Sequence, residues 1–324
     1  MNKTKLGNTG LEVSALCLGS DLLGSKHNQE ASFAVLDAFR ERGGTFLDTG
    51  NLYAAWLPNC SGGESETVIG QWLKARGCRD EMIVGTKLGF DFADTKGGLS
   101  AAEIELQCDK SLRRLGTDRI DIYWAHRDDY DTPQAETMQA FDKLVKAGKV
   151  RAIGASNLRV WRISQANEIA RANGWTQYGA VEQRYTYLRP LPAADFGPQL
   201  CIGDELKSFA ADSGVGLVAY SIMLGGAYDK PGAVLPPQYA GPDADLRLAV
   251  LKGVAAEVGA TLGQVIIAWV RQHTPSILPI IAGSRPEQIA QSVEALKLEL
   301  TAAQMQRLNS GGDPSDTGGW ITPT

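Results

Sequence analysis

Apolar positions along the chain fall into two alternating rhythms. Short unbroken apolar runs, such as Ile120–Trp124 and Ile277–Ile281, are separated by longer segments in which apolar residues recur every three to four positions. The first rhythm belongs to strands buried on both faces, as in a parallel sheet, and the second to amphipathic helices. In chain order, Asn8-Thr9-Gly10 predicts the turn of a hairpin over Lys5–Leu11. Val13–Leu18 reads as a strand and Gln29–Arg42 as a helix stopped by Gly43-Gly44. A short apolar run then ends at Asp48 and leads through a Gly-, Ser- and Pro-rich loop to helix Ser65–Arg76. Strand Met82–Thr86 precedes helix Ala101–Leu115, where Ser100 and Glu103 have capping-box spacing. Four more strands follow with their helices: Ile120–Trp124 with Glu136–Ala147, Val150–Ala155 with Arg159–Asn173, Ala180–Glu182 with Asp204–Ser213, and Val215–Tyr220 with Leu246–Val258 and Leu262–Gln272. Strand Ile277–Ile281 and helix Pro286–Leu296 complete the series; helix Ala302–Ser310 precedes a Gly-rich tail containing Trp320.

Eight strand-then-helix units predict an α/β fold, a (β/α)8 TIM barrel, formed by residues 1–324 as a single domain with an N-terminal β-hairpin. An open dinucleotide-binding sheet would carry GxGxxG after its first strand, whereas this strand ends Gly19-Ser20-Asp21. The long loops, Tyr187–Gly203 and Leu224–Asp243, follow strand C-termini and so belong to the face where barrel enzymes place their sites. Their Pro and Gly content suits ordered lids.

Composition narrows the partners. The chain has 324 residues, 44% hydrophobic and 21% charged, with a formal net charge of −5 and no basic run. That balance argues against nucleic acid or an acidic membrane surface. Five scattered cysteines without a CxxC pair read as free thiols in a reducing compartment, neither a metal site nor a disulfide framework. The first residues lack the apolar stretch of a signal peptide, and no window is long and apolar enough to span a bilayer. The expectation is a cytoplasmic protein that handles a small molecule.

Three consecutive strands end in residues able to do chemistry. Asp48 closes the second, with Tyr53 in the loop beyond; Lys87 closes the third and His126 the fourth. Singly, each has an ordinary structural explanation: a cap, an ion pair, a surface side chain, a satisfied core histidine. Together, on neighbouring strands of a barrel, they converge on one rim. An ammonium beside a phenol lowers its pKa from about 10, and a carboxylate holds that ammonium in place. The tyrosine then exchanges a proton near neutral pH, while the histidine hydrogen-bonds an oxygen that gains negative charge. The set suits protonation of a carbonyl oxygen. Hydride must come from a cofactor, because no side chain supplies it.

In these features the chain resembles the aldo-keto reductases over nearly its whole length. The resemblance is carried by Lys5-Leu6-Gly7-Asn8-Thr9-Gly10, by Phe46-Leu47-Asp48-Thr49 with Tyr53, by Gly63-Glu64-Ser65-Glu66 and by Thr86-Lys87. It is most specific from Asp118 to Asn157, including His126, Thr132-Pro133, Glu136-Thr137 and the run Gly148–Asn157. The family's catalytic tetrad falls on Asp48, Tyr53, Lys87 and His126, which implies tyrosine as proton donor and NADP(H) as cofactor. The resemblance assigns Ser156, Asn157 and Gln183 to the nicotinamide carboxamide and Tyr220 to stacking on its ring. The backbone from Ser221 through Met223 to Gly225 falls to the pyrophosphate, although Ile222-Met223 replaces the more usual proline-leucine. Gly283, Ser284, Arg285 and Gln288 fall to the adenosine 2′-phosphate, where a helix N-terminus favours an anion. Gln291-Ser292 stands where the family usually has an acid and an asparagine at the adenine.

Asp21 occupies a position where many relatives place a bulky aromatic, and Arg127 directly follows His126; Trp56 lies just beyond Tyr53. This mixed lining suits a polyhydroxylated, sugar-like carbonyl substrate, or else Asp21 and Arg127 pair and merely close the barrel mouth. Trp124, two residues before His126, points inward as core. Two other functions compete with a reductase. One is a nicotinamide-binding sensor or regulatory subunit on the same fold, against which stand the complete tetrad and the absence of a long extension. The other is a metal-dependent barrel hydrolase, against which stands the lack of clustered His and carboxylate ligands.

Overall fold

The hairpin stands apart from the barrel and seals its floor. In the computed structural model, which describes residues 1–230 and 232–311, β1 (Lys3–Lys5) and β2 (Glu12–Ser14) pair antiparallel. Between them Gly7 turns at φ +46°, so close to the barrel that a Cβ would meet the Gly216 nitrogen at 2.0 Å. A side chain there would be strained and would lift the hairpin. Asn8 N–H donates to the Gly179 carbonyl at 3.2 Å, and Leu6, Leu11 and Val13 pack into the barrel's interior core.

The single strand expected over Val13–Leu18 is divided. Val13 and Ser14 belong to the hairpin, and the barrel strand β3 is Cys17–Gly19. Ser14 causes the break: its Oγ donates to the Leu16 carbonyl at 2.6 Å and accepts from Thr45 N–H at 3.0 Å. A side chain that bonds nearby backbone competes with the ladder.

Among the described residues, eight parallel strands close the barrel in the order β10-β3-β4-β5-β6-β7-β8-β9. After β3 come β4 (Phe46–Asp48), β5 (Ile83–Leu88), β6 (Ile120–Ala125), β7 (Val150–Ser156), β8 (Tyr178–Arg184), β9 (Gly216–Tyr220) and β10 (Ile277–Ile281). Helices α1 (Gln29–Glu41), α2 (Glu64–Arg76), α3 (Ala101–Leu115), α4 (Gln134–Lys146), α5 (Val160–Ala172), α6 (Asp204–Ser213), α7 (Pro242–Val258), α8 (Leu262–Arg271), α9 (Pro286–Glu294) and α10 (Ala302–Ser310) cover it. The fold is the (β/α)8 barrel that the strand–helix rhythm predicts. Among the described residues no single helix is long and apolar enough to cross a membrane. Trp320 lies outside the described residues.

Two boundaries moved for identifiable reasons. β8 exceeds Ala180–Glu182 because Asn167 bonds both backbone groups of Tyr178 at one end, while Arg184 pairs with Leu200 and Ile202 at the other. α7 begins at Pro242, before the expected Leu246, since proline is favourable in a first turn. The two long loops meet each other: Leu191 N–H donates to the Gln238 carbonyl at 2.7 Å, and the rings of Phe196 and Tyr239 lie 5.6 Å apart.

Apolar side chains form one core between strands and helices and a second inside the barrel. The second contains Cys17, Phe46, Ile122, Trp124, Ala152, Ala180, Val218, Leu278 and Ile280, so Trp124 is core as expected. Gly154, paired with Trp124 across β6 and β7, makes room for the indole; a Cβ there would approach it to 2.2 Å.

Candidate active site

Strand periodicity carries the interior upward into the site. Side chains two apart share a face. Above Phe46 stands Asp48, above Gly85 Lys87, above Trp124 His126, above Ala180 Glu182, and above Val218 Tyr220. The apolar layer below is therefore a floor for a polar layer at the C-terminal mouth.

Asp48, Tyr53, Lys87 and His126 do come together. The Lys87 ammonium is fully buried, contacts Asp48 Oδ2, and donates to Tyr53 Oη at 2.8 Å and to the Thr49 carbonyl at 3.0 Å. Tyr53 Oη in turn donates to Asp48 Oδ2 at 3.1 Å. The His126 ring lies 6.0 Å from the Tyr53 ring, centre to centre. Asp48 and Lys87 are both buried inside the barrel mouth.

The expected depression of the tyrosine pKa is also corrected. Burial, followed by the charge of Asp48 and by those of Glu182 and Asp21 when they are ionised, pushes the Tyr53 phenol well above its usual value. One ammonium does not outweigh desolvation and three carboxyl groups. Tyr53 therefore keeps its proton at neutral pH, ready to act as an acid. Burial, and next the Lys87 charge, holds His126 well below the ordinary imidazole value, so its ring is neutral. Such a ring still donates one N–H hydrogen bond.

The residues expected at the cofactor occupy the adjoining arc of the mouth. Asn157 is held at φ +61°; its Nδ2 donates to the His126 carbonyl at 3.0 Å and to Ser156 Oγ at 3.1 Å. Its Oδ1 accepts from Tyr220 Oη at 2.7 Å and from Leu200 N–H at 3.2 Å. Gln183 Nε2 donates to the Leu158 carbonyl at 2.8 Å. Ser221, Met223 and Gly225 lie on the turn after β9, with Ser221 and Gly225 in left-handed conformations. At the start of α9, Ser284 directs both its backbone N–H and its hydroxyl at Gln288 Oε1, at 2.7 and 3.1 Å, beside Gly283 and the exposed Arg285.

Asp21 and Arg127 do not pair. Arg127 instead faces Asp91 at 3.8 Å and lies over the Phe90 ring at 5.4 Å. Asp21 as a whole is exposed; partial burial of its carboxyl and then the Asp48 charge raise it above its usual value. Trp56 is half-exposed and meets Tyr53 edge-on, with ring centres 6.1 Å apart. Two neighbours were not anticipated. Phe90, three residues beyond Lys87, packs edge-on against His126 at 4.8 Å. Glu182 lies buried beside Lys87, with Oε1 3.5 Å from the ammonium. Its two-residue offset from core Ala180 is a signal the sequence did hold.

Comparison with known proteins agrees with this geometry. A model described as "Aldo/keto reductase family" matches residues 15–312. An aryl-alcohol dehydrogenase of Pestalotiopsis microspora is 31% identical, covering 94% of this chain and 80% of that protein. An aryl-alcohol dehydrogenase [NADP(+)] of Phanerodontia chrysosporium is 31% identical over 93% of this chain and 83% of its own length. Norsolorinic acid reductase B of Dothistroma septosporum is 30% identical over 95% and 80%, respectively.

Proposed function

The chain belongs to the aldo/keto reductase family, and from that premise we propose that it reduces an aldehyde or ketone to the alcohol with NADP(H), Tyr53 giving the proton. The observation that carries the reading is the Tyr53 hydroxyl, within hydrogen-bonding distance of both Lys87 and Asp48 and beside a neutral His126. When bound, the nicotinamide supplies hydride to the carbonyl carbon. His126 donates a hydrogen bond to the carbonyl oxygen, and Tyr53 releases its proton to that oxygen as negative charge grows there. Lys87 stays charged and stabilises the phenolate left behind, while Asp48 fixes the ammonium.

The residues present fit the cofactor. Gln288 Oε1 occupies both Ser284 donors just as a phosphate oxygen would, at the N-terminus of a helix and next to Arg285. Asn157, Ser156 and Gln183 would exchange present partners, among them the His126 and Leu158 carbonyls and Tyr220 Oη, for a carboxamide, and Tyr220 would offer its ring to the nicotinamide. The turn from Ser221 through Met223 to Gly225 supplies backbone for the pyrophosphate.

For the substrate, Trp56 and Phe90 provide aromatic walls, while Asp21 and Arg127 offer a carboxyl and a guanidinium. A hydroxylated aromatic aldehyde or ketone satisfies both kinds of group, and relatives named aryl-alcohol dehydrogenases accord with it. A sugar-like carbonyl compound is the second reading, favoured by Asp21, which makes no ion pair with Arg127. NADPH consumption with hydroxylated aromatic, plain aromatic and sugar aldehydes, in wild type and Asp21→Ala, separates them. Faster kcat/KM for hydroxylated aromatics, reduced in the variant, supports the first reading. Sugars winning supports the second, and plain aromatics winning removes the polar role of Asp21. Absence of turnover with all of them would favour a nicotinamide sensor.

A further inference from the structure

In the polar layer of the tetrad itself, the barrel interior holds two carboxyl groups and one ammonium. Asp48 and Glu182 both approach Lys87 Nζ, and Glu182 is within hydrogen-bonding reach of Asp48. All three side chains are buried. One oxygen of each carboxyl, Asp48 Oδ1 and Glu182 Oε2, has no donor. A buried acceptor without a donor is costly, and two carboxylates in contact do not both ionise. A proton on one carboxyl removes both difficulties, because it converts an acceptor into a donor.

We propose that Glu182 is a positioning residue of the reaction centre: it holds a proton in the resting enzyme, and losing that proton suppresses proton donation by Tyr53. The proposal rests on the reductase reading above. Burial first, and then the Asp48 charge, lifts the Glu182 carboxyl to about 8, against the opposing pull of Lys87. A protonated Glu182 leaves the Lys87 charge to Asp48 and Tyr53. An ionised Glu182 competes for that ammonium and adds a negative charge near the phenol, which makes the phenolate harder to form.

The titratable groups facing Glu182 are Cys17 from β3, Asp48 from β4, Tyr53 from the loop after it, Lys87 from β5 and Tyr220 from β9. Cys17, Tyr53 and Tyr220 are pushed up by burial, and the carboxylates around Lys87 lift it. His126, on β6's extension, is pushed far down. Among Cys17, Tyr53, Lys87, His126, Tyr220 and Glu182, the one that titrates just above neutrality is Glu182.

The test compares the pH dependence of carbonyl reduction in wild type and Glu182→Gln, whose amide keeps the shape and has no ionisation. With a pKa of about 8, kcat/KM in wild type falls about ten-fold from pH 7 to pH 9, and in Glu182→Gln by less than about two-fold. Equal alkaline limbs in the two proteins overturn the proposal. A readout independent of turnover is infrared difference spectroscopy of the wild type between pH 6 and pH 9. It shows a buried protonated carboxyl band that titrates and that Glu182→Gln lacks; a band retained in the variant overturns the proposal. Wild type without turnover defeats the reductase reading, whereas wild type with turnover and an unchanged variant defeats this one alone.

Discussion

Replacing Tyr53 by phenylalanine removes one oxygen from a tightly connected site, and the connections set the expected size of each effect. The lost hydroxyl donates to Asp48 at 3.1 Å and accepts from Lys87 at 2.8 Å. Lys87 nevertheless keeps Asp48, the Thr49 carbonyl at 3.0 Å and Glu182 at 3.5 Å, so no charge is stranded. Losing hydrogen bonds to charged groups that keep each other as partners costs roughly 1.5–3 kcal/mol. Catalysis loses much more, since a positioned acid contributes about 10²–10⁴-fold, or roughly 2.7–5.4 kcal/mol of barrier. The assays are kcat with a saturating aldehyde, cofactor affinity by protein fluorescence, and stability by urea unfolding. The expected result is turnover reduced at least about a hundred-fold, with cofactor affinity close to wild type and a stability loss of no more than roughly 1.5–3 kcal/mol. Near-normal turnover would refute the assignment of Tyr53 as proton donor. Lost turnover together with lost cofactor binding would equally refute it, since the damage would then not be confined to one proton.

Arg285→Ala should erase most of the preference for NADPH over NADH, about ten-fold or more if one charge-assisted bond is lost; equal dissociation constants in wild type would defeat the 2′-phosphate assignment. Gly70→Ala, although favourable for an isolated helix, should destabilise the protein by about 1–3 kcal/mol. A Cβ there meets the Arg114 carbonyl oxygen at 2.5 Å, and an unfolding midpoint at or above wild type would contradict that packing. Thr261→Ala removes the reciprocal cap with Gln264 at α8 and should cost about 1 kcal/mol by denaturant unfolding. Because folding raises Glu182 from 4.5 to about 8, its contribution to stability is full below pH 4.5 and lost as pH rises toward 8. Urea titrations of wild type and Glu182→Gln should therefore diverge across that window, and parallel curves would show that folding leaves the carboxyl unshifted.

The sequence made the barrel legible because each buried strand is a short apolar run and each helix has its own stop signal. The tetrad was legible because its members end consecutive strands. What escaped depends on distance across the barrel. Lys87 on β5 and Glu182 on β8 are not sheet neighbours and meet only across the barrel interior. Local pattern gives the inward face of Glu182 but not who stands opposite. The tyrosine's acidity was misjudged for the same reason: counting the ammonium was possible from sequence, counting the carboxyls around it was not. The Asp21–Arg127 pairing failed because Asp91, in the loop after β5, reaches the guanidinium instead. Ser14's turning of the chain before β3 likewise depends on Thr45, a partner 31 positions away.

The hairpin under the barrel has a consequence for how the site exchanges with solvent. With Leu6, Leu11 and Val13 packed above the Gly7 turn, the interior is a vessel whose lower end is apolar. The polar route for protons to Lys87, Asp48 and Glu182 is the mouth that receives the reactants. Once that mouth is filled, the buried cluster works from a fixed proton stock until product leaves. A hairpin loosened at Gly7 would turn the vessel into a tube, and hydrogen isotopes in the surrounding water would then reach the cluster in mid-turnover.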